Sequence, residues 1–402
     1  MRWLFIGGVI LLVELFGYLT IKELLWLLGI NKLNNPHRWR VLFWGLLACL
    51  NVCVVFAMSG IIPFGFRWLS YLLVVMLYAQ FATVFAIIAH QLVKHIDRKL
   101  TKIDKQSTKK ATTKANTVSK MLVGKKMLVG KMVAVASFVG LFWLSHHNAY
   151  TPVVKHLAIQ IDKPLSQPLR VAMVSDLHLG NRVGVNELGR LAQILKEQQA
   201  DMLLIPGDIM DDDIVAYTKQ NMQPALEQVV NSVPLGVFAS LGNHDLYQDE
   251  AGISQAVRNT GIHLLVDEVM SLNLNEQDRI WLVGRYDDHH SDRANTQDSL
   301  AHTNVREPVI LLDHRPTQIE QHQALPIDLQ VSGHTHNGQI FPANLIVQAI
   351  NRIGYGYEQI GQGHYLVSSG YGFWHLPLRL GSQSEVWIID LTGLTELTGQ
   401  PQ

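Results

Sequence analysis

Five short polar clusters in the second half of the chain contain residue types that bind metal ions. They are Asp176-Leu177-His178, Gly207-Asp208, Gly242-Asn243-His244-Asp245, the single residue His314, and Gly333-His334-Thr335-His336-Asn337-Gly338. Carboxylate, imidazole and amide oxygen ligands suit Mn, Fe and Zn. Both cysteines precede residue 54, so this half offers no thiolate ligand. The clusters therefore predict a site for divalent metal ions.

Each cluster also has an ordinary structural explanation when it is taken alone. Asp-x-His and Gly-Asp pairs are common in turns, and a single histidine is more often a hydrogen-bonded surface residue. The metal interpretation depends on the whole set, in which seven ligand-type residues follow five predicted strands. The acidic run 211–213 is interpreted as a solvated loop or helix cap. Arg315 is left open between a substrate contact and a surface ion pair.

The pattern around these clusters is that of an α/β domain beginning near residue 150. Short apolar runs predict strands at residues 169–175, 202–205, 237–241, 280–283, 309–312, 329–332, 365–368 and 386–389. A helical pattern lies at residues 186–199, and the polar stretch 286–307, with His289 and His290, predicts an exposed loop or a cover for the site. Strands separated by helices and then strands alone predict stacked sheets with helices outside. Because ligand sites gather beyond the carboxyl ends of strands, the clusters are expected to converge.

The same motifs resemble those of the calcineurin-like metallophosphoesterases, within them the membrane-associated bacterial branch. The resemblance covers about residues 165–392 and includes the later segments Ser368-Ser369-Gly370-Tyr371-Gly372 and Leu376-Pro377-Leu378-Arg379. One departure is Asn337, where glycine is more common in the family. The resemblance implies a four-layer αββα sandwich that hydrolyses phosphodiesters or phosphomonoesters.

The resemblance also implies two metal ions with defined ligand sets. One ion would be held by Asp176, His178, Asp208 and His336, and the other by Asp208, Asn243, His314 and His334. Asp208 would bridge the pair, since two cations about 3.5–4 Å apart need an anion between them. Such a pair clamps a phosphate and acidifies a bridging water into hydroxide, the nucleophile for in-line attack.

Two further residues of the Gly-Asn-His-Asp cluster take roles outside the ligand sets. His244 resembles the family's general acid or phosphate clamp, which protonates the leaving oxygen. Asp245 is a candidate to support the ligands from behind, although an aspartate in a loop is often only a turn residue.

The first 150 residues have the composition of a membrane region. They carry 18 Lys and Arg against 4 Asp and Glu, a net charge of +14, whereas residues 151–402 carry 15 against 29, a net charge of −14. Apolar runs at residues 3–19, 41–58 and 68–88 approach the roughly 20 residues that cross a bilayer as a helix. The chain is therefore divided into residues 1–93 with three transmembrane helices, a basic cytoplasmic linker at 94–131, a fourth transmembrane helix at 132–149, and the phosphoesterase domain at 150–402.

The distribution of basic residues predicts the orientation of these helices. The linker holds twelve Lys and Arg residues, and basic loops remain in the cytoplasm. A fourth span then delivers the phosphoesterase domain to the outer side of a bacterial inner membrane. If residues 132–145 do not cross, the domain is cytoplasmic instead.

The expected partners are a phosphoester substrate and the membrane. A domain held near the bilayer suits lipid-linked phosphates, while soluble nucleotides or sugar phosphates stay open as substrates. The acidic second half does not favour a nucleic acid, which would require a basic face. Two alternatives from other classes are a catalytically weak membrane sensor and a transporter-linked phosphate-binding module. The full ligand set argues against the first, and the sparse intramembrane charge, of which Glu14 is the clearest case, argues against the second.

Overall fold

The computed structural model describes residues 11, 14–23, 25, 36–58, 65–107 and 114–394. The chain divides into two compact units, Met1–Leu144 and Ser145–Gln402. Most of the first predicted span, residues 3–19, lies outside the described residues.

Long helices make up the described part of the first unit. Residues 14–23 are helical, and α1 (Pro36–Met58), α2 (Gly65–Ser107) and α3 (Lys114–Tyr150) follow. Two segments are long and apolar enough to cross a membrane, Trp68–Ile96 and Leu128–Tyr150, and Arg40–Val54 is a shorter apolar helix. These helices are compatible with membrane association. The predicted linker, residues 94–131, is helical on both sides of residues 108–113, which lie outside the described part.

Two six-stranded mixed sheets form the second unit. The first has the order β1-β12-β2-β3-β4-β5, and its strands are β1 (Val153–Pro164), β2 (Leu169–Met173), β3 (Met202–Pro206), β4 (Val237–Ser240), β5 (His263–Leu264) and β12 (Glu385–Leu394). The second has the order β10-β11-β9-β8-β7-β6, and its strands are β6 (Glu268–Asn273), β7 (Arg279–Gly284), β8 (Val309–Leu312), β9 (Leu329–Ser332), β10 (Gly356–Ile360) and β11 (Gly363–Val367). Strands β2 to β5 are parallel in register, as are β7, β8, β9 and β11.

The central strands are mostly apolar because both faces of each sheet are covered. In β2, Val171 and Met173 belong to the core between the two sheets, whereas Ala172 belongs to the core between the first sheet and its helices. In the second sheet, Ile310 and Leu312 belong to the core between the two sheets, and Val309 and Leu311 lie on the outer side. This alternation follows from the two-residue period of a strand and produces buried layers on both faces.

Helices cover the outer faces of the two sheets. They are α4 (Val185–Glu197), α5 (Val215–Lys219), α6 (Gln223–Val230), α8 (Glu250–Asn259), α9 (Thr296–Leu300) and α10 (Ile319–His322), whereas α7 (Asn243–Leu246) and α11 (Ala343–Ile350) follow the strand-end loops. Helix α4 confirms the pattern at residues 186–199 and buries Leu188, Leu191 and Leu195 on one face. The predicted four-layer αββα sandwich is therefore confirmed.

Candidate metal centre

The five polar clusters converge at one edge of the sandwich. Three follow the neighbouring parallel strands β2, β3 and β4, and two follow the neighbouring strands β8 and β9 of the other sheet. Backbone hydrogen bonds join successive loops, from Asp176 N to Gly207 O (3.1 Å) and from Gly333 N to His314 O (2.9 Å). The His334 amide donates to Asp176 Oδ1 across the two sheets at 3.0 Å. The carboxyl ends of five strands thus form a single site.

The loops at this edge adopt backbone conformations that side chains ordinarily avoid. Five of the seven predicted ligands have positive φ, and the values are 52° for Asp176, 47° for His178, 53° for Asp208, 69° for His334 and 49° for His336. A left-handed conformation costs free energy for a residue with a Cβ atom. Such a concentration at one place is typical of a site at which function, rather than local preference, determines where side chains point.

The first group of candidate ligands contains Asp176, His178 and His336. Their ligand atoms lie within 4.8 Å of one another. His178 Nε2 is 3.1 Å from His336 Nε2, and His336 Nε2 is 3.4 Å from Asp176 Oδ1. Asp208 Oδ2 approaches the same group at 3.6 Å from His178 Nε2. All four side chains are buried, so they face one another rather than solvent.

The second group contains Asp208, His314 and His334, again with ligand atoms within 4.8 Å of one another. His314 Nε2 is 3.3 Å from Asp208 Oδ2, the same oxygen that approaches the first group. His314 Nδ1 lies 2.9 Å from the Pro206 carbonyl. Because a carbonyl can only accept, Nδ1 carries a proton, which leaves Nε2 as the ring atom directed at Asp208.

Asn243 adds an amide oxygen to this second group. Its Nδ2 donates to the Tyr247 hydroxyl at 2.9 Å, which fixes the orientation of the amide and leaves Oδ1 as the free acceptor. That oxygen is buried without a hydrogen-bond partner, and so is His314 Nε2. Buried polar atoms without partners are costly, and two of them beside a buried carboxylate fit a site built around a cation. The donor set therefore fits divalent metal ions.

Burial favours the neutral form of three candidate imidazole ligands. It lowers the pKa of His178 and of His334 to about 3 each, and it lowers the pKa of His336 well below the ordinary value. Neutral imidazole is the form that binds a metal, so protons do not compete with the ion near neutral pH. Burial raises the pKa of the Asp208 carboxyl, but the charge and hydrogen bond of His314 together with the charges of His178 and His244 outweigh it and hold that pKa well below its ordinary value.

The pKa values of Asp176 and His314 are raised rather than lowered. Burial raises the pKa of Asp176 to about 6. Burial alone would lower the pKa of His314, but the neighbouring Asp208 carboxylate outweighs it and raises that pKa to about 10. The buried carboxylates thus favour a positive charge beside them, as expected where carboxylates are arranged to hold cations.

His244 lies beside the two groups and makes a contact that the sequence interpretation did not anticipate. Its Nδ1 donates to Asp212 Oδ1 at 2.6 Å. Burial opposes protonation of His244, but this hydrogen bond and the charge of Asp208 outweigh it and raise the pKa. Asp212 belongs to the acidic run interpreted as a solvated loop or cap. That interpretation fits Asp213, which accepts from Val215 N at 2.8 Å at the start of α5, whereas the partly exposed Asp212 also holds the His244 ring.

Asp245 and Arg379 contact the ligand loops from the interior of the protein. Asp245 is fully buried and accepts from the backbone amides of Ile209, Met210 and Gly242 at 2.9 to 3.1 Å, which ties the Asp208 loop to the Asn243 loop. Arg379 is also fully buried, and its guanidinium donates to the Ser369 carbonyl at 2.7 Å. The same NH2 group lies 3.4 Å from His336 Nδ1.

The stretch 286–307 and Arg315 pack next to the site rather than over it. Arg315 Nε donates to the buried Asp287 carboxylate at 2.8 Å, so the ion-pair alternative applies to this arginine. The half-exposed His289 ring lies 5.5 Å from the Tyr247 ring. The site opens into a cleft of about 360 Å³ whose lining includes Asp208, Asn243, His244, Tyr247, His334, His336 and Trp374.

Several known proteins are similar to this chain in sequence. A family model described as calcineurin-like phosphoesterase matches residues 169–338. An uncharacterized metallophosphoesterase of Helicobacter pylori is 30% identical over 257 residues, which cover 62% of this chain and 67% of that protein. One from Campylobacter jejuni is 32% identical, covering 63% and 67%. A Danio rerio protein described as a transmembrane protein with metallophosphoesterase domain is 30% identical, covering 59% and 57%. The chain belongs to the calcineurin-like phosphoesterase family and is a phosphoric ester hydrolase.

Proposed function

We propose that the enzyme hydrolyses phosphoesters with a dinuclear metal centre at the edge of its two sheets. The single observation that supports this best is the position of Asp208 Oδ2, 3.6 Å from His178 Nε2 and 3.3 Å from His314 Nε2. One carboxylate oxygen thus faces an imidazole from each group. In this proposal Asp176, His178 and His336 would hold one ion, Asn243, His314 and His334 would hold the other, and Asp208 would contribute to both.

When bound, the metal pair supplies positive charge to the phosphate and lowers the pKa of a bridging water, giving a hydroxide nucleophile. The protein's own contribution is position and proton supply. His244 protonates the leaving oxygen, and Asp212 holds the Nδ1–H of that ring so that Nε2 is the atom directed at substrate. Asp245 holds the loops that carry Asp208 and Asn243 in their relative positions. The buried ligand shell excludes bulk water from the reacting phosphate.

The experiment that tests this function is a metal-supplemented activity screen on the full chain. It compares monoester, diester and lipid-linked phosphates after addition of Mn²⁺, Zn²⁺ or Fe²⁺. We expect hydrolysis that a chelator abolishes and that metal restores. A chain that carries the metals but hydrolyses no phosphoester would favour the sensor alternative and contradict the proposal.

A membrane location on the outer side of a bacterial inner membrane is the second part of the proposal. The helix segment Leu128–Tyr150 has 23 residues, about 35 Å at 1.5 Å per residue, enough for a hydrocarbon core about 30 Å thick. It follows the basic residues of 94–131, which favour the cytoplasm. The Danio rerio relative is itself described as a transmembrane protein. Lipid-linked phosphates are the substrates that this arrangement favours.

A reporter fused after residue 402 tests the orientation. With the phosphoesterase unit outside, alkaline phosphatase is expected to be active and green fluorescent protein dark, because the first folds only outside the cytoplasm and the second does not mature there when exported unfolded. The same reporters fused within residues 108–113 should give the opposite pattern. Identical readings at both positions would mean that Leu128–Tyr150 does not cross.

Gly242→Ala is expected to abolish metal binding by moving the bridge. A Cβ at Gly242 would lie 2.2 Å from Asp208 Oδ1 and 2.4 Å from the Asp208 amide nitrogen, and the backbone atom cannot move aside. The matched control is Gly189→Ala in helix α4, where a Cβ meets nothing within 4 Å. The control should retain its metals and gain roughly 0.5–1 kcal/mol of stability, since glycine weakens a helix interior. Normal metal content in Gly242→Ala, by elemental analysis, would contradict this packing argument.

Asp212→Asn is expected to impair proton donation without affecting the metals. Because Asp212 positions His244, kcat should fall about tenfold or more for a phosphate ester with an alkyl leaving group, which needs a proton. The loss should be much smaller for p-nitrophenyl phosphate, whose leaving group departs as an anion. Asp213→Asn, in the neighbouring helix cap, should affect neither substrate. Equal losses on both esters would show that Asp212 is only structural.

A further inference from the structure

Helix α11 presents its apolar side outward. None of its residues is buried, and Leu345, Ile346 and Ile350 are 54%, 60% and 74% exposed. The less exposed positions are Ala343, Asn344 and Val347. Ile346 and Ile350 are four residues apart and therefore lie on one side of the helix. A helix on a water-exposed surface normally has the reverse arrangement, with polar residues outside.

This helix begins directly after the site. It follows the turn His336–Gly338, which carries a proposed metal ligand, and Gln339 connects that turn to Trp374. Gln339 Nε2 donates to the Trp374 carbonyl, and its Oε1 accepts from the Trp374 amide, both at 2.9 Å. The Trp374 ring is 41% exposed, lines the cleft and lies 6.5 Å from the His244 ring. An exposed aromatic side chain therefore lies at the entrance of the site and is joined to the turn that precedes α11.

The last turns of α3, from Ser145 on, belong to the phosphoesterase unit and lie at the same part of it. Arg379 N donates to the Ser145 carbonyl at 2.8 Å, and Asn148 Nδ2 donates to the Arg379 carbonyl at 3.2 Å. The next residue, Leu380, accepts from Phe341 N at 2.6 Å, two residues before α11 begins. Two consecutive residues thus connect the last turns of α3, a helix long and apolar enough to span a membrane, to the start of α11.

We propose that the outer face of α11, formed by Leu345, Ile346 and Ile350, docks into the surface of the lipid bilayer beside the end of α3. An amphipathic helix in this position would bury its apolar side by about 5–10 Å at the boundary of headgroups and acyl chains. Trp374 would lie at the interface, where tryptophan is enriched, and would face the cleft. The enzyme would thereby admit phosphates carried on lipids without extracting them from the membrane.

The chemistry of the face favours lipid as its occupant. Its exposed residues are aliphatic rather than charged, and the nearby Arg352 is paired with Glu358, with NH2 to Oε1 at 2.5 Å. The contact is therefore hydrophobic and should form on neutral lipids and persist in high salt, since salt screens only charge. This inference deepens the proposed function, on which the lipid-linked substrate class depends.

Depth-dependent fluorescence quenching tests the docking in the full chain. With the exposed cysteines replaced by Cys49→Ser and Cys53→Ser, a single label is introduced by Ile346→Cys, and the protein is placed in phosphatidylcholine nanodiscs containing nitroxide lipid. The matched control is Val305→Cys, at an aliphatic position of the same unit that is 48% exposed. We expect quenching about threefold or more above the control, unchanged in 1 M salt, because nitroxides act only at short range.

Two outcomes would overturn the proposal. One is equal quenching at both labels. The other is a label at Ile346 that is shielded from aqueous iodide yet not quenched by lipid, which would mean that a protein or a second copy of the chain covers the face. Neither fluorescence measurement depends on enzyme activity. Absence of metal-dependent hydrolysis of p-nitrophenyl phosphate would count against the proposed function alone.

A paired variant tests the consequence for activity. The double variant Ile346→Asp/Ile350→Asp should abolish the quenching, which is read from a label placed by Leu345→Cys. It should also lower hydrolysis of a lipid phosphate in nanodiscs by about tenfold, with phosphatidic acid or the lipid phosphate found in the screen as substrate. Hydrolysis of soluble p-nitrophenyl phosphate should stay within about twofold, as should both activities of Val305→Asp. Equal loss on soluble and lipid substrates would contradict a docking role.

Discussion

Replacing Asp208 by asparagine is expected to eliminate both metal ions and nearly all activity. Its carboxylate is the one among the described site residues that approaches an imidazole of each group, and its negative charge offsets the repulsion between two cations. Loss of the metals removes the nucleophile and the charge stabilisation together, so kcat should fall by at least about 10⁴-fold. Elemental analysis and p-nitrophenyl phosphate hydrolysis give the two readings.

The control for this change is Asp390→Asn, which removes an aspartate of the same size from β12. Asp390 pairs with Arg170 at the half-exposed surface, with Oδ1 to Nε at 2.7 Å. An exposed ion pair contributes about 0–1 kcal/mol, so this variant should keep its metals and its activity. Two ions retained in Asp208→Asn would mean that the bridge has been assigned to the wrong residue.

His244→Ala is expected to give the second largest effect, with a different signature. The ring lies within ligand distance of His178 and Asp208, but the proposal assigns it to neither ligand set. Asp212 fixes its orientation. Loss of a general acid should lower kcat by roughly 10²–10⁴-fold for an ester with an alkyl leaving group, with far less effect for p-nitrophenyl phosphate. Metal content should remain close to that of the unmodified enzyme.

The control histidine is His156, an exposed residue of β1 outside the site. His156→Ala should change neither substrate's kcat. Loss of metal in His244→Ala would make His244 a ligand, and uniform loss on both esters would make it a phosphate clamp rather than a proton donor.

The central strands and the ligand loops could be predicted from the sequence because both leave strong local patterns. All eight predicted strands exist, since strands covered on both faces are continuously apolar. The seven candidate ligands were expected to converge because carboxyl ends of parallel strands share one edge, whereas their division into two sets came from the family resemblance. The strands that the sequence did not indicate are the outer ones, β1, β5, β6 and β10. The pair of residues in β5 is too short for a pattern, and β6 alternates half-buried and exposed positions at a sheet edge.

The contacts that support the site depend on tertiary structure and leave no local pattern. Asp212 and His244 are 32 residues apart, and an acidic triplet in a loop looks the same whether or not a histidine approaches it. Arg379 is fully buried, although arginine is ordinarily exposed, and only the packing of the loop after β11 accounts for its position. The outward apolar face of α11 likewise resembles an ordinary core helix in sequence and becomes informative only when its exposure is known.

Stepwise metal addition to the metal-depleted full chain tests the dinuclear account most directly. Bound Mn²⁺ is measured per chain by elemental analysis while p-nitrophenyl phosphate hydrolysis is followed in the same samples. Because the proposed mechanism needs both ions on Asp208, activity should rise to its plateau as the second ion binds, at two ions per chain. Full activity with one ion bound, or hydrolysis that persists with none, would contradict the dinuclear centre.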